Sequence, residues 1–159
     1  MKMRLLHVVP VLFVFIFGSC TSESIEDSPI VEAENIIKLE QEIFEIINTH
    51  RTGLNTNKLV FSTVAYKYAN NHTDYMISKG SLSHDNFSSR ASNIDSEEAV
   101  EMVAENVAKD YNTAQDAFEG WYNSVNHKKT MEGNFTHTAV SVKKDQLGNY
   151  YFTQLFYRK

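Results

Sequence analysis

The stretch T-A-V-S-V-K at residues 138–143, followed after Q-L-G-N by Y-Y-F-T-Q-L-F-Y at residues 150–157, decides how this chain folds. The first run approaches the two-residue alternation of a strand, and the second is dense in aromatic and branched side chains. Between them Gln146, Leu147, Gly148 and Asn149 have the composition of a turn. The expectation is two antiparallel strands closing the chain. Alternation would place about half of Tyr150, Tyr151, Phe152, Phe156 and Tyr157 in a core.

Toward the N-terminus the period changes. Ala114, Ala117, Phe118, Trp121 and Val125 recur at helical spacing behind Thr113, a suitable cap, so a helix is expected from Thr113 to about Val125. Residues 104–108, A-E-N-V-A, read as a further strand. Upstream, Phe61, Val64, Tyr68, His72 and Tyr75 form one stripe of a helix expected over residues 59–79, with Gly80 as its stop. His72 then points inward as a packed core residue. Ile36, Leu39, Ile43, Ile46 and Ile47 form the face of an opening helix that ends near Thr52 and Gly53. Ser83, His84, Asp85 and Asn86 suit a turn or cap leading into a short helix over residues 87–91. Helices come first and strands come late, which predicts an α+β layer arrangement and not a doubly wound parallel sheet.

The first 33 residues are of another kind. Lys2 and Arg4 precede a nearly unbroken apolar run over residues 5–17, too short for a membrane span with flanks and shaped like a signal h-region. It ends in F-G-S-C, and Cys20 is the single cysteine of the chain. Its place resembles that of the lipidated cysteine in bacterial lipoprotein signals, although Phe17 stands where such signals more often have Leu. The expected organisation is a lipoprotein signal at 1–19, an acidic flexible tether at 20–33 and one domain at 34–159. Lipidation of Cys20 would attach the mature chain stably to a membrane, since it carries more than one acyl chain. A generic secretory signal with an incidental cysteine is the other reading. With no second cysteine, an internal disulfide is impossible, and stability must come from packing.

Composition excludes several functions. The chain carries 15 basic and 20 acidic residues. Without Lys2 and Arg4 the balance is 13 against 20, a net charge of about −7, and no basic cluster exists to neutralise phosphates, so nucleic acid is not an expected partner. Ser124 and His127 lie three apart, but no G-x-S-x-G elbow surrounds the serine, which argues against a serine hydrolase. The N-x-S/T triplets at Asn71, Asn86 and Asn134 carry no function in a bacterial lipoprotein.

Five phrases remain: L-S-H-D-N-F at 82–87, A-E-N-V-A at 104–108, W-Y-N-S-V-N-H at 121–127, N-F-T-H-T-A-V-S-V at 134–142 and Y-F-T-Q-L-F at 151–156. In this order they resemble the CAP superfamily, or SCP-like domain, over the whole mature domain. That resemblance implies a three-layer α-β-α sandwich with a short antiparallel sheet and a surface cleft lined by two histidines and two acids. Carried over by position, these are His84, Glu105, Asp116 and His137. The chain departs from the pattern at Ala104, Ala139 and Ser141, where glycines are usual, and at Asp116, where Glu is more common. The shorter acid loses roughly 1.5 Å of reach.

Two neutral imidazoles can bind a borderline ion such as Zn²⁺ or another divalent cation, with carboxylates holding their outer N–H groups. His84 and His137 are the expected ligand pair. Open coordination positions could activate water, with Glu105 as general base. The same groups also make sense as a structural network. No oxyanion device is recognisable, so the preferred reading is a non-catalytic binding cleft for a metal, lipid, peptide or cell-wall ligand. The alternative is a metal-dependent peptidase or cell-wall hydrolase.

Overall fold

The computed structural model describes residues 33–159. The expected signal, Cys20 and all of the tether but Ala33 lie outside the described residues. In chain order the elements are α1 (Ile37–Gly53), β1 (Val60–Phe61), α2 (Thr63–Lys79), α3 (Phe87–Glu98), β2 (Met102–Lys109), α4 (Ala114–Tyr122), α5 (Val125–Met131), β3 (His137–Lys144) and β4 (Tyr150–Arg158). The sheet order is β1-β3-β4-β2. β4 pairs antiparallel with both β2 and β3, whereas β1 runs parallel to β3, so the sheet is mixed and not purely antiparallel.

Helices cover both faces of this sheet, giving the α-β-α sandwich. Alternate side chains separate accordingly. Val140, Val142, Phe152, Phe156 and Ala108 pack with Leu39, Ile43 and Ile47 of α1 and with Ala117 and Trp121 of α4. Ala139, Leu155 and Tyr157 point the other way, onto Ala65 and Ala69 of α2 and Ile94 of α3, and Tyr151 and Val107 meet Met76. Tyr151, Phe152, Phe156 and Tyr157 are therefore all buried, not half of them. The one-sided reading of the alternation fails because both sides are covered. The buried Trp121 also donates its indole N–H to Val107 O at 3.1 Å, locking α4 onto β2.

Three boundaries differ from expectation for local reasons. Residues 60–61 leave the helical stripe because Val60 N and Ser62 N bond to Thr136 O and Thr138 O of the neighbouring chain segment. Ser62 then caps α2, its Oγ accepting from Ala65 N at 3.0 Å. The helix expected up to Val125 ends at Tyr122, and Ser124 stands before a separate α5, which leaves Val125 83 % exposed instead of on the apolar face. α3 extends to Glu98 and is much longer than the single turn foreseen.

Candidate functional site

The loop between α2 and α3 carries His84, and its path is set at both ends. Gly80 ends α2 with φ of +66°, a left-handed conformation that glycine adopts without a Cβ penalty. Asn86 opens α3 in the same region, with φ of 59°. Between them the loop is tied down by three side chains. His72 of α2 bonds through Nε2 to Ser83 O at 2.8 Å, Tyr75 donates its hydroxyl to Asp85 Oδ2 at 2.8 Å, and Arg90 of α3 donates from Nη1 to Asp85 O at 2.6 Å.

His84 is thereby held over Glu105 of β2. The ring Nδ1 lies 2.8 Å from Glu105 Oε1. An ionised carboxylate only accepts, so Nδ1 carries the proton and the Nε2 lone pair remains for a ligand. The His84 side chain is 54 % exposed and that of Glu105 only 1 %. Glu105 is neutralised from within by Arg90, whose Nε donates to Oε2 at 2.9 Å and whose Nη2 reaches Oε1 at 2.9 Å and Oε2 at 2.7 Å. Both carboxylate oxygens are thus engaged. Glu105 thereby positions the His84 ring.

The remaining expected residues lie elsewhere. Asp116 is exposed in the first turn of α4, where its Oδ2 accepts from Thr113 Oγ1 at 2.7 Å and its N–H bonds back to the same hydroxyl at 3.0 Å. That carboxylate closes a capping exchange at a helix start, which the dipole favours. His137 shares a sheet face with Glu105 but stands two strands away and two residues further along, since Glu105 pairs with Leu155 and Ala139, and Val103 with Tyr157 and His137. At ordinary strand spacings their Cα atoms are roughly 12 Å apart. The His137 ring stacks on Tyr157 at 4.7 Å between centroids and meets Thr136 Oγ1 at 2.8 Å. The structure brings together His84 and Glu105 and leaves Asp116 and His137 apart from them.

Two further residues lie near that pair, neither of them among the four that the sequence assigns to the cleft. Arg90 ends the phrase S-H-D-N-F-S-S-R, and only helical phasing of α3 toward β2 would have revealed it. His127, on α5, is tied to β2 through its carbonyl, which accepts from Asn106 Nδ2 at 3.0 Å next to Glu105. β2 is the edge strand, and both α5 and α3, the helix that the His84 loop leads into, contact it. His127 lies below the ordinary imidazole pKa, chiefly through burial and secondarily through the charge His84 acquires on protonation. Its sequence signal is the W-Y-N-S-V-N-H phrase, where spacing sets it beside Ser124 and not beside His84. Among the described residues no three His, Cys, Asp or Glu side chains converge in a metal-holding group.

Burial makes acid the condition under which this region loosens. His72, whose side chain is fully buried, is held below its ordinary pKa first by desolvation, with Arg90 and His84 acting in the same direction and Glu105 and the Ser83 carbonyl opposing. His127 and His137 shift the same way, again mainly through burial. Above the unfolded value of about 6.5 neither state is protonated and these rings contribute nothing to pH dependence. As pH falls below it the unfolded chain binds protons first, so stability declines until the folded values are reached. For His72 the slope is at most about 1.4 kcal/mol per pH unit. Urea midpoints should fall between about pH 7 and pH 5, above the range where carboxylates titrate. A His72→Gln variant should show a flatter decline. An unchanged midpoint across that interval would rule the effect out.

A mixed sheet between two helical layers, with an imidazole presented over a buried carboxylate at its edge, defines the class of domain. The Cysteine-rich secretory protein family model, CAP, matches residues 44–156, and the chain belongs to that family. An outer surface protein of Borrelia burgdorferi superposes with a TM-score of 0.71 at 17 % identity, over 80 % of this chain and 98 % of that one. An extracellular protein containing a SCP domain from Bacillus anthracis gives 0.67 at 26 % identity, and a cysteine-rich secretory protein from Staphylococcus aureus gives 0.66 at 18 %. Each match covers 77 % of this chain, which spans 41 % and 39 % of those longer proteins. No curated protein sequence matches the chain significantly.

Proposed function

We propose that this chain is a membrane-tethered, extracytoplasmic CAP module that binds a ligand at the His84 edge of the sheet without turning it over. The observation that carries this reading is the state of Glu105: Arg90 and His84 occupy its oxygens, so the group best placed to serve as general base is already used. The hydrolase alternative relied on Glu105 as its general base, and that carboxylate is already engaged. Location outside the cytoplasm is supported by the signal-like N-terminus with Cys20, and by similarity to bacterial proteins described as outer surface or extracellular.

The ligand chemistry supported best is a divalent cation, Zn²⁺ first, bound by His84 Nε2 and the His127 imidazole and able to accept a further donor from a peptide or cell-wall group. A carboxylate behind a ligating histidine fixes its tautomer and raises its basicity, which is the role Glu105 fills. Calorimetric titration of the full-length chain in detergent with Zn²⁺ should show one site. Replacing His84 or His127 by Ala should weaken it roughly tenfold or more, the range seen when a metal's supporting contacts are lost. His137→Ala should leave it unchanged. Equal binding in all four proteins would refute the shared site, and loss in His137→Ala alone would move the ion to the other end of the sheet face.

A further inference from the structure

The opposite edge of the sheet holds a cavity of about 590 Å³ between the start of α1, β1 and the start of α2, within the usual range for small-molecule sites. Its walls include Phe44, Phe61, Tyr66 and Ile37, and its polar lining includes Glu40 and Glu45 but, among the described residues, no Lys, Arg or His. Phe61 and Ile37 are about half exposed, at 50 % and 49 %, so the mouth is an open apolar rim. The rings of Phe61 and Tyr66 lie 5.6 Å apart between centroids at 54° to one another. Such an angled pair offers π faces to an incoming group.

Glu40 is the unusual member. It is 7 % exposed, and its partners are all neutral: Val142 N at 2.9 Å, Asn35 Nδ2 at 2.5 Å and the Tyr66 hydroxyl at 2.8 Å. Among the described residues no cationic side chain pairs with it, whereas the buried Asp74 has Lys143 at 2.6 Å and Glu105 has Arg90. Burial first, and then the bond to Glu40 and its negative charge, push the Tyr66 hydroxyl up to about 12. A buried carboxylate without a counter-charge, behind aromatic walls and beside the acidic Glu45, is complementary to one kind of occupant.

We propose that this cavity binds a small alkylammonium cation, its charge facing Glu40 and Glu45 and its methyl or methylene groups lying on Phe61 and Tyr66. The site is independent of His84 and would remain if that cleft had no metal. The test is a chemical-shift titration of the full-length chain with choline, its uncharged carbon isostere 3,3-dimethylbutan-1-ol, and sodium chloride at matched ionic strength. The Val142 amide, which bonds to Glu40, is the reporter. Choline should give a saturable shift, the isostere should bind at least roughly tenfold more weakly, and sodium should not reproduce the shift. Phe61→Ala, at an exposed position, should weaken choline about tenfold, and Glu45→Gln several-fold without unfolding the chain. Equal affinity for the isostere, an equal effect of sodium, or no saturable choline shift would each overturn the proposal.

Discussion

Replacing Arg90 by Met should destabilise the domain by about 3–5 kcal/mol, the cost of leaving a buried charge without its partner. Glu105 has 1 % of its side chain exposed, and without the guanidinium it keeps only the His84 ring at 2.8 Å and the distant His72 Nε2 at 3.7 Å. The variant should therefore take up a proton near neutral pH, either on Glu105 or on one of the flanking imidazoles. Urea denaturation measures the first effect and the pH dependence of the midpoint measures the second. The double change Arg90→Met with Glu105→Leu removes both charges together and should recover most of the loss, because buried pairs exchange for apolar groups at little net cost. A single-variant cost under about 1 kcal/mol would mean that the pair is wetted in solution, as exposed pairs are. In that case Glu105 would again be accessible as a base, and the non-catalytic reading would lose its main support.

The legible parts of this molecule are those where period and burial agree. The α1 face from Ile36 to Ile47 and the Trp121 helix are regular elements whose apolar residues meet one core, and the closing hairpin is regular with a core on each face, so spacing locates all three. The CAP resemblance supplied the layer order. β1 was hidden because two residues, Val60 and Phe61, cannot establish a period and because they pair with a segment 77 residues later. At the site, His84 and Glu105 were readable as phrases, but their link depends on Arg90, and a lone arginine in a polar run looks like solvated surface until the helix is phased against the sheet. Asp116 was placed by analogy of position, and the capping exchange with Thr113 that occupies it is a competing local use of the same carboxylate. His127 escaped for the converse reason: its importance lies in the strand edge that α5 happens to cross, not in anything adjacent to it in sequence.

The same blindness applies to Arg51, which is fully buried near the end of α1 and has no carboxylate partner among the described residues. Its donors go to neutral oxygens: Nε to Asn57 O at 2.9 Å, Nη1 to Met131 O at 2.7 Å and Gly133 O at 2.8 Å, and Nη2 to Asn57 Oδ1 at 3.3 Å and Phe135 O at 3.4 Å. Met131 ends α5, so the guanidinium also sits where a helix dipole favours positive charge. One side chain thus fastens α1 to the segment that leads from α5 into β3. Arg51→Met should cost about 3 kcal/mol or more, because several buried carbonyls lose their donors at once and each such loss costs about 1–3 kcal/mol before relaxation. Arg51→Lys should recover only part, since an ammonium cannot reproduce the planar fork. Hydrogen exchange distinguishes this from a uniform loss of stability: protection should fall most at the end of α5 and at Phe135, with α2 and α3 following only the global change. Because α5 carries His127, Zn²⁺ binding should weaken in Arg51→Met under conditions where the chain is still folded, while the Arg90–Glu105 pair across the sheet edge persists. Uniform exchange across all helices would instead make Arg51 a general core residue with no particular hold on the site.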